Sequence, residues 1–133
     1  MIPLKILNRL QLGREVSAEV EATLPGHRAW ILVWPGVDPE HGYFNKLSDY
    51  GEPLVSATSD QNPLKGFTII CMEIERNKLD TYLNNGWEIP YSAATLYGED
   101  FAHDEAELEA KVSRRLPDLS LLRIPHDAGF PFC

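Results

Sequence analysis

The sequence predicts an α+β fold: an antiparallel or mixed sheet of about four to six strands, with two or three helices packed on one face. Alternating and continuous apolar runs, which are typical of strands, occupy residues 16–34 and 67–75, and helical apolar spacing follows them. The chain has 133 residues, of which 44% are apolar. Its size and composition therefore predict a single domain over residues 1–133.

The first part of the chain predicts a β-hairpin. Residues 4–12 fit either a helix or a strand, because their leucines suit both periods. Residues 16–24 alternate apolar and polar side chains, as a half-buried strand does. A Pro-Gly turn separates them from residues 28–34, a continuous apolar run typical of a buried strand. The two strands are expected to pair in an antiparallel manner.

The middle of the chain combines an irregular segment with a strong strand. Proline and glycine interrupt residues 35–66, where only residues 54–58 resemble a strand. Residues 67–75 are the strongest strand in the sequence, with apolar side chains for both faces. A short helix is expected next, capped by Asn77 and stopped by the Asn-Asn-Gly sequence at 84–86.

The last third predicts a helix over residues 105–116 and a final strand over residues 119–124. Asp104 is the expected N-cap, with Glu107 three residues later. Leu108, Val112 and Leu116 form an i, i+4, i+8 apolar stripe. Pro117 ends this helix, because the residue before a proline avoids helical dihedral angles.

Composition limits the classes of function. A net charge of −8 and a pI near 4.9 oppose nucleic acid and anionic membranes as partners, and favour a basic protein. No apolar run is long enough to cross a bilayer and no signal peptide is evident, so a cytoplasmic protein is expected.

Cys71, in an apolar run, is expected to be an inert thiol, and Cys133 lies at the last position. No cofactor motif or metal-ligand spacing is present, and no cofactor or metal is expected.

The strongest charge asymmetry is an acidic run between residues 99 and 109, which contains six carboxylates and no Lys or Arg. A helix that begins near Asp104 accounts for the middle of this run, because carboxylates stabilise the first turn. It does not account for Glu99, Asp100 and Glu109. These three residues are therefore candidates for docking a cationic partner.

A second candidate surface lies in the irregular segment, where acids alternate with aromatic side chains. Aromatic residues are enriched at interface hot spots, and neighbouring acids suit a basic target. The alternative interpretation is that these aromatic side chains fold back over the core. The candidate residues are Asp38, Glu40, Tyr43, Phe44, Asp49, Tyr50 and Glu52.

An alternative function is a metal-dependent hydrolase. Glu73 and Glu75 are two residues apart on a predicted strand, so they point to one face, and Asp60 precedes them in the chain. His41 is a further candidate for this site. The layout resembles the Asp…Glu-x-Lys arrangement of restriction-type nucleases, but position 75 holds Glu75 where those have lysine.

The leading hypothesis is a small acidic module, not an enzyme, that neutralises or regulates a basic partner protein. In size, net charge and acid-plus-aromatic loops, the chain resembles the immunity proteins that are paired with toxic nuclease domains. The resemblance implies a toxin domain as the partner, steered to the acidic surface by electrostatic attraction. The sequence leaves the oligomeric state open.

Overall fold

The structure is a computed structural model, and it describes residues 2–36 and 66–132. Three helices and four strands make up the described residues. In chain order they are α1 (Leu4–Gln11), β1 (Val16–Val20), β2 (His27–Pro35), β3 (Phe67–Glu75), α2 (Arg76–Asn84), β4 (Leu96–Ala102) and α3 (Glu105–Val112). Two 3₁₀ turns, Tyr91–Ala93 and Leu119–Leu121, complete the elements.

The four strands form one antiparallel sheet in the order β1-β2-β3-β4. Strands β2 and β3 are central and pair along their full length, from His27 opposite Glu75 to Pro35 opposite Phe67. Strands β1 and β4 lie at the two edges. The predicted α+β class, the antiparallel sheet and the number of helices are confirmed.

The helices differ from the expectation, because they cover both faces of the sheet. On one face, Ile31 and Val33 pack in a core with side chains of α1 and α3. On the other face, Trp30 and Leu32 pack with Leu79 of α2 and with Phe132 near the C-terminus. The physical reason is the unbroken apolar sequence of β2 and β3, which exposes apolar side chains on both faces and requires a cover on each.

Most of the predicted elements are present, with changed boundaries. The hairpin is formed by β1 and β2, β3 spans the predicted residues 67–75, and the ambiguous opening segment is the helix α1. The N-cap position of α2 is Glu75, two residues before the predicted Asn77, and its side chain makes no capping hydrogen bond. Helix α3 ends at Val112, and its apolar stripe continues through a turn to the buried Leu116.

One predicted strand was wrong, and one observed strand was not predicted. Residues 119–124 do not form a strand: Asp118 caps the 3₁₀ turn Leu119–Leu121, and only Arg123 forms a single bridge to Ser17. Conversely, β4 was not predicted. The predicted strand at 54–58 lies outside the described residues.

The partly buried Cys71 packs against the core under α1 and α3, and burial raises the pKa of its thiol. This is the inert environment that the sequence suggested. None of the helices in the two described ranges is long and apolar enough to cross a membrane. The single-domain organisation stays a prediction.

Candidate functional site

Strand β4 places the beginning of the acidic run on an exposed edge of the sheet. The first two residues of β4, Leu96 and Tyr97, are 37% and 44% exposed. Glu99 and Asp100, further along the strand, are exposed as well. Across residues 2–36 and 66–132, β4 pairs with β3 alone. The edge therefore presents both carboxylates and backbone polar groups to its surroundings.

Alternation in the antiparallel ladder shows which backbone groups point outward. The N–H of Phe101 donates to Asp100 Oδ1 at 2.7 Å, and its carbonyl accepts from Lys111 Nζ. Both groups of Phe101 therefore face away from β3. Since outward and inward residues alternate along such a strand, the N–H and C=O groups of Tyr97 and Glu99 point outward too.

Tyr97 and Glu99 also share one face of the sheet, where their side chains interact. The Tyr97 hydroxyl donates to Glu99 Oε2 at 3.3 Å. Partial burial, assisted by the negative charge of Glu99, raises the pKa of Tyr97 to about 12. The phenol therefore stays protonated at neutral pH and remains a donor. Its ring contacts Tyr91, with 6.3 Å between the centroids, which anchors it on the sheet.

Asp100 lies on the opposite face and is paired with a lysine. Lys111 Nζ of α3 is 3.0 Å from Asp100 Oδ1 and 3.2 Å from Glu107 Oε1. The hydrogen bond from Lys111 holds the pKa of Asp100 below its usual value of 3.8. The structure thus gives Asp100 a structural role: together with Lys111 it joins β4 to α3.

Glu109 lies apart from the other two candidates. It is half-buried on α3 and lines a cavity of about 500 Å³ with Pro3, Ser113 and Asp118. Lys111, whose side chain reaches β4, is two residues further along the helix. The side chains of Glu109 and Lys111 therefore point in nearly opposite directions from the helix axis. Glu99, Asp100 and Glu109 therefore do not form one continuous docking face.

The middle of the acidic run stabilises α3 as expected. Asp104 Oδ1 accepts the N–H of Glu107 at 2.8 Å, which confirms Asp104 as the N-cap. Glu105 and Glu107 lie in the first turn, near the positive end of the helix dipole. The seven loop candidates, Asp38, Glu40, Tyr43, Phe44, Asp49, Tyr50 and Glu52, lie outside the described residues, as do His41 and Asp60.

Glu73 occupies an environment unlike that of a metal ligand. Glu73 is 0% exposed, and its carboxylate oxygens accept hydrogen bonds from the N–H groups of Thr23 and Leu24 at 2.9–3.1 Å. They also accept the Thr23 hydroxyl at 2.7 Å and Arg115 Nη2 at 3.3 Å. These donors occupy both oxygens and hold the β1–β2 connection against the end of β3.

Glu75, two residues further on, is exposed at the end of β3 and does not share this enclosure. Within the described ranges, no group of three or more His, Cys, Asp and Glu side chains could hold a metal ion. The geometry of Glu73 therefore gives no support to the hydrolase hypothesis, although Asp60 lies beyond the described residues.

The sequence reasoning missed Tyr97 as a partner of Glu99. The available signal was the i, i+2 spacing of the two residues, which places them on one face of a strand. That signal required β4 to be recognised first. Comparisons of the chain with protein-family models, with curated proteins and with solved structures found no match.

Proposed function

We propose that the protein is a binding module for a basic protein partner, and that β4 is its docking strand. The observation that carries the proposal is the exposed outer edge of β4, where the outward peptide groups of Tyr97 and Glu99 are combined with acidic side chains. An extended segment of a partner can add to such an edge through main-chain hydrogen bonds. Side chains at alternate positions then determine which segment is accepted.

Charge supports a basic partner. The chain carries a net charge of −8, and a field of that sign accelerates encounter with cations. Glu99 stands on the exposed edge, and Asp104 and Glu105 follow it at the start of α3. Lysine or arginine side chains on the incoming strand would lie close to Glu99.

The edge has a defined end. Lys111 and the Asp100 carboxylate occupy both backbone polar groups of Phe101. A partner strand therefore pairs with Tyr97 and Glu99 and stops before Phe101. This limit restricts the register in which a partner strand can pair. The register determines specificity, because a shift of one residue would move every partner side chain to the opposite face of the sheet.

The finer proposal is that the partner is a toxic nuclease domain and the protein is its immunity protein. A nuclease active site is basic because it binds phosphates. Electrostatic steering followed by occlusion of that site would neutralise it. The support is the sign of the charge and the accessible acidic edge.

The test begins with affinity capture from the source lysate, using the full chain as bait, followed by association kinetics with the most enriched basic protein. We expect Glu99→Lys to slow association at low salt by about tenfold, because it reverses the charge beside the docking edge. The matched control is Glu75→Lys, which makes the same change in net charge at an exposed position at the end of β3.

A second pair of variants separates charge from main-chain pairing. Glu99→Gln removes the charge, whereas Glu99→Pro removes the charge and the outward N–H. Because that N–H does not bond to β3, the proline is tolerated as edge prolines are. The proposal expects a larger loss of affinity from proline than from glutamine. Equal losses would exclude strand addition, and equal slowing by the Glu75 control would exclude β4 as the docking surface.

A further inference from the structure

A groove runs between α1 and the C-terminal segment of the chain, beside the outer edge of β1. Its volume is about 730 Å³, within the range of small-molecule binding sites, roughly 300–1,000 Å³. One wall is the outward side of α1 with the turn that follows it. The other wall is formed by residues 120–127.

The lining of this groove is basic although the protein is acidic. Lys5, Arg9, Arg14 and Arg123 line it, which is four of the twelve Lys and Arg residues of the chain, against the single acid Asp127. The charges of these five side chains sum to +3, in a chain whose net charge is −8. The groove therefore favours an anion.

These cations are available for a ligand. In the part of the chain that the structure describes, no carboxylate forms an ion pair with Lys5, Arg14 or Arg123. Arg9 donates its Nε to the carbonyl of Glu15 at 2.9 Å, which orients the guanidinium and leaves its Nη groups as donors. Four cationic groups that form no ion pair within the described ranges repel one another, and a bound anion would relieve that repulsion.

The fold holds the two walls together. Lys5 and Arg9 are four residues apart and so lie on one side of α1. Gly13, with a φ of 81°, ends the helix and turns the chain so that Arg14 follows on the groove side. Across the groove, Arg123 is fixed by two backbone hydrogen bonds to Ser17, at 2.7 and 2.8 Å.

Apolar side chains form the floor between the charges. Ile6 of α1 and Leu122 are 6% and 5% exposed. Leu12 lines the rim and is 74% exposed, so its side chain is accessible to an occupant. The groove therefore offers both charge and apolar surface to an occupant.

We propose that this groove binds a small organic anion that carries at least two negative charges and an apolar body. The guanidinium groups of Arg14 and Arg123 bind the anionic groups, since planar N–H pairs suit carboxylate, sulfonate and phosphate oxygens. The apolar body contacts Ile6, Leu12 and Leu122. This site lies at the sheet edge opposite β4, and the proposal is independent of the proposed function.

The experiment titrates the full chain with 8-hydroxypyrene-1,3,6-trisulfonate, a fluorescent trianion with an aromatic body, and maps the site by amide NMR shifts. We expect saturable one-to-one binding that weakens with added salt, with shifts confined to residues 5–14 and 120–127. Arg14→Gln and Arg123→Gln should each weaken binding by about tenfold, the effect of losing one charge-assisted hydrogen bond. Sulfate, which lacks the apolar body, should bind at least about tenfold more weakly, by roughly the burial of a few methylene-sized groups.

Arg114→Gln is the matched control, because it removes an exposed arginine just after α3, outside the groove. Its affinity for the dye should equal that of the unaltered chain. Equal weakening by the control, shifts elsewhere on the surface, absence of saturable binding, or sulfate binding as tightly as the dye would each overturn the proposal. So would binding of phosphatidylglycerol vesicles, but not of the dye, through Arg14 and Arg123, since the ligand would then be a membrane surface.

Discussion

Glu73 shows what a single buried carboxylate does in this molecule. Burial alone would raise its pKa, but hydrogen bonds from Thr23 and Leu24 and the charge of Arg115 outweigh that effect. The pKa of Glu73 therefore lies below its ordinary value of 4.5. The sequence placed this residue on a strand correctly, yet nothing in the local pattern indicated that a turn fifty residues earlier would enclose it.

At the same scale, Glu73→Gln should lower the free energy of unfolding by about 2–4 kcal/mol at neutral pH, because the amide places a donor against existing donors. Chemical denaturation measures this. Glu75→Gln, an exposed substitution on the same strand, is the control and should change stability by less than about 0.5 kcal/mol. Comparable losses from both variants would show that the enclosure of Glu73 is energetically unimportant.

The lowered pKa of Glu73 also predicts a dependence on pH. A carboxylate whose pKa is lower in the folded state stabilises the fold above the unfolded pKa, and this stabilisation disappears as the pH falls through the folded value. Below pH 4.5 the unaltered protein should therefore lose stability more steeply than Glu73→Gln. Denaturation midpoints from pH 7 to pH 3 test this, and parallel curves would contradict it.

The pair of Lys111 and Asp100 makes a further prediction. Lys111→Gln removes the hydrogen bond that chiefly lowers the pKa of Asp100, so that pKa should rise toward 3.8. Carboxyl NMR titration measures the change directly. Lys78→Gln, an exposed change on α2, should leave the Asp100 titration unaltered. An unchanged Asp100 pKa in the Lys111 variant would contradict the claim that the Lys111–Asp100 pair joins β4 to α3.

At the scale of elements, the sequence predicted those whose apolar pattern is set by burial. β2 and β3 are buried on both faces, so their continuous apolar runs identified them. β4 escaped prediction because an exposed edge strand needs no apolar pattern: it contains Gly98, Glu99 and Asp100, which have low strand propensity. Residues 119–124 are the opposite case. Their apolar sequence is typical of a strand, but they form a 3₁₀ turn and a single bridge.

The same burial argument explains the error in helix placement. Strands β2 and β3 are apolar on both faces, so each face of the sheet needs a cover. Sequence spacing shows which side of a helix is apolar, but it does not show which face of the sheet receives that helix. Here α2 begins directly after Glu75, and its Leu79 packs on the face that contains Trp30 and Met72.

The N-cap of α3 carries a prediction at this scale. Asp104→Ala should destabilise the protein by about 1 kcal/mol, because the N–H of Glu107 loses its acceptor. Asp104→Asn keeps an acceptor oxygen and should retain most of the stability. Thermal denaturation distinguishes the two variants. An equal loss in both would indicate that charge near the helix start, rather than the cap hydrogen bond, accounts for the effect of Asp104.

At the scale of the whole molecule, charge is divided between the two edges of one sheet. The acidic edge is β4, with Glu99 exposed on it, and the basic groove lies beside β1, where Arg123 bridges to Ser17. Composition gives only the sum of −8 and does not reveal the basic groove, because Arg123 lies at the other end of the sequence from Lys5 and Arg14. The fold brings them together, and no local pattern could have predicted it.

The central claim is that β4 docks a basic partner by strand addition, and amide hydrogen exchange in the complex tests it most directly. The captured partner is added to the full chain, and exchange is followed at single residues. We predict that the amides of Tyr97 and Glu99, which point outward in the free protein, become strongly protected, while that of Phe101 changes little because Asp100 already accepts it. Tyr97 and Glu99 amides that still exchange rapidly while another surface becomes protected would contradict the account.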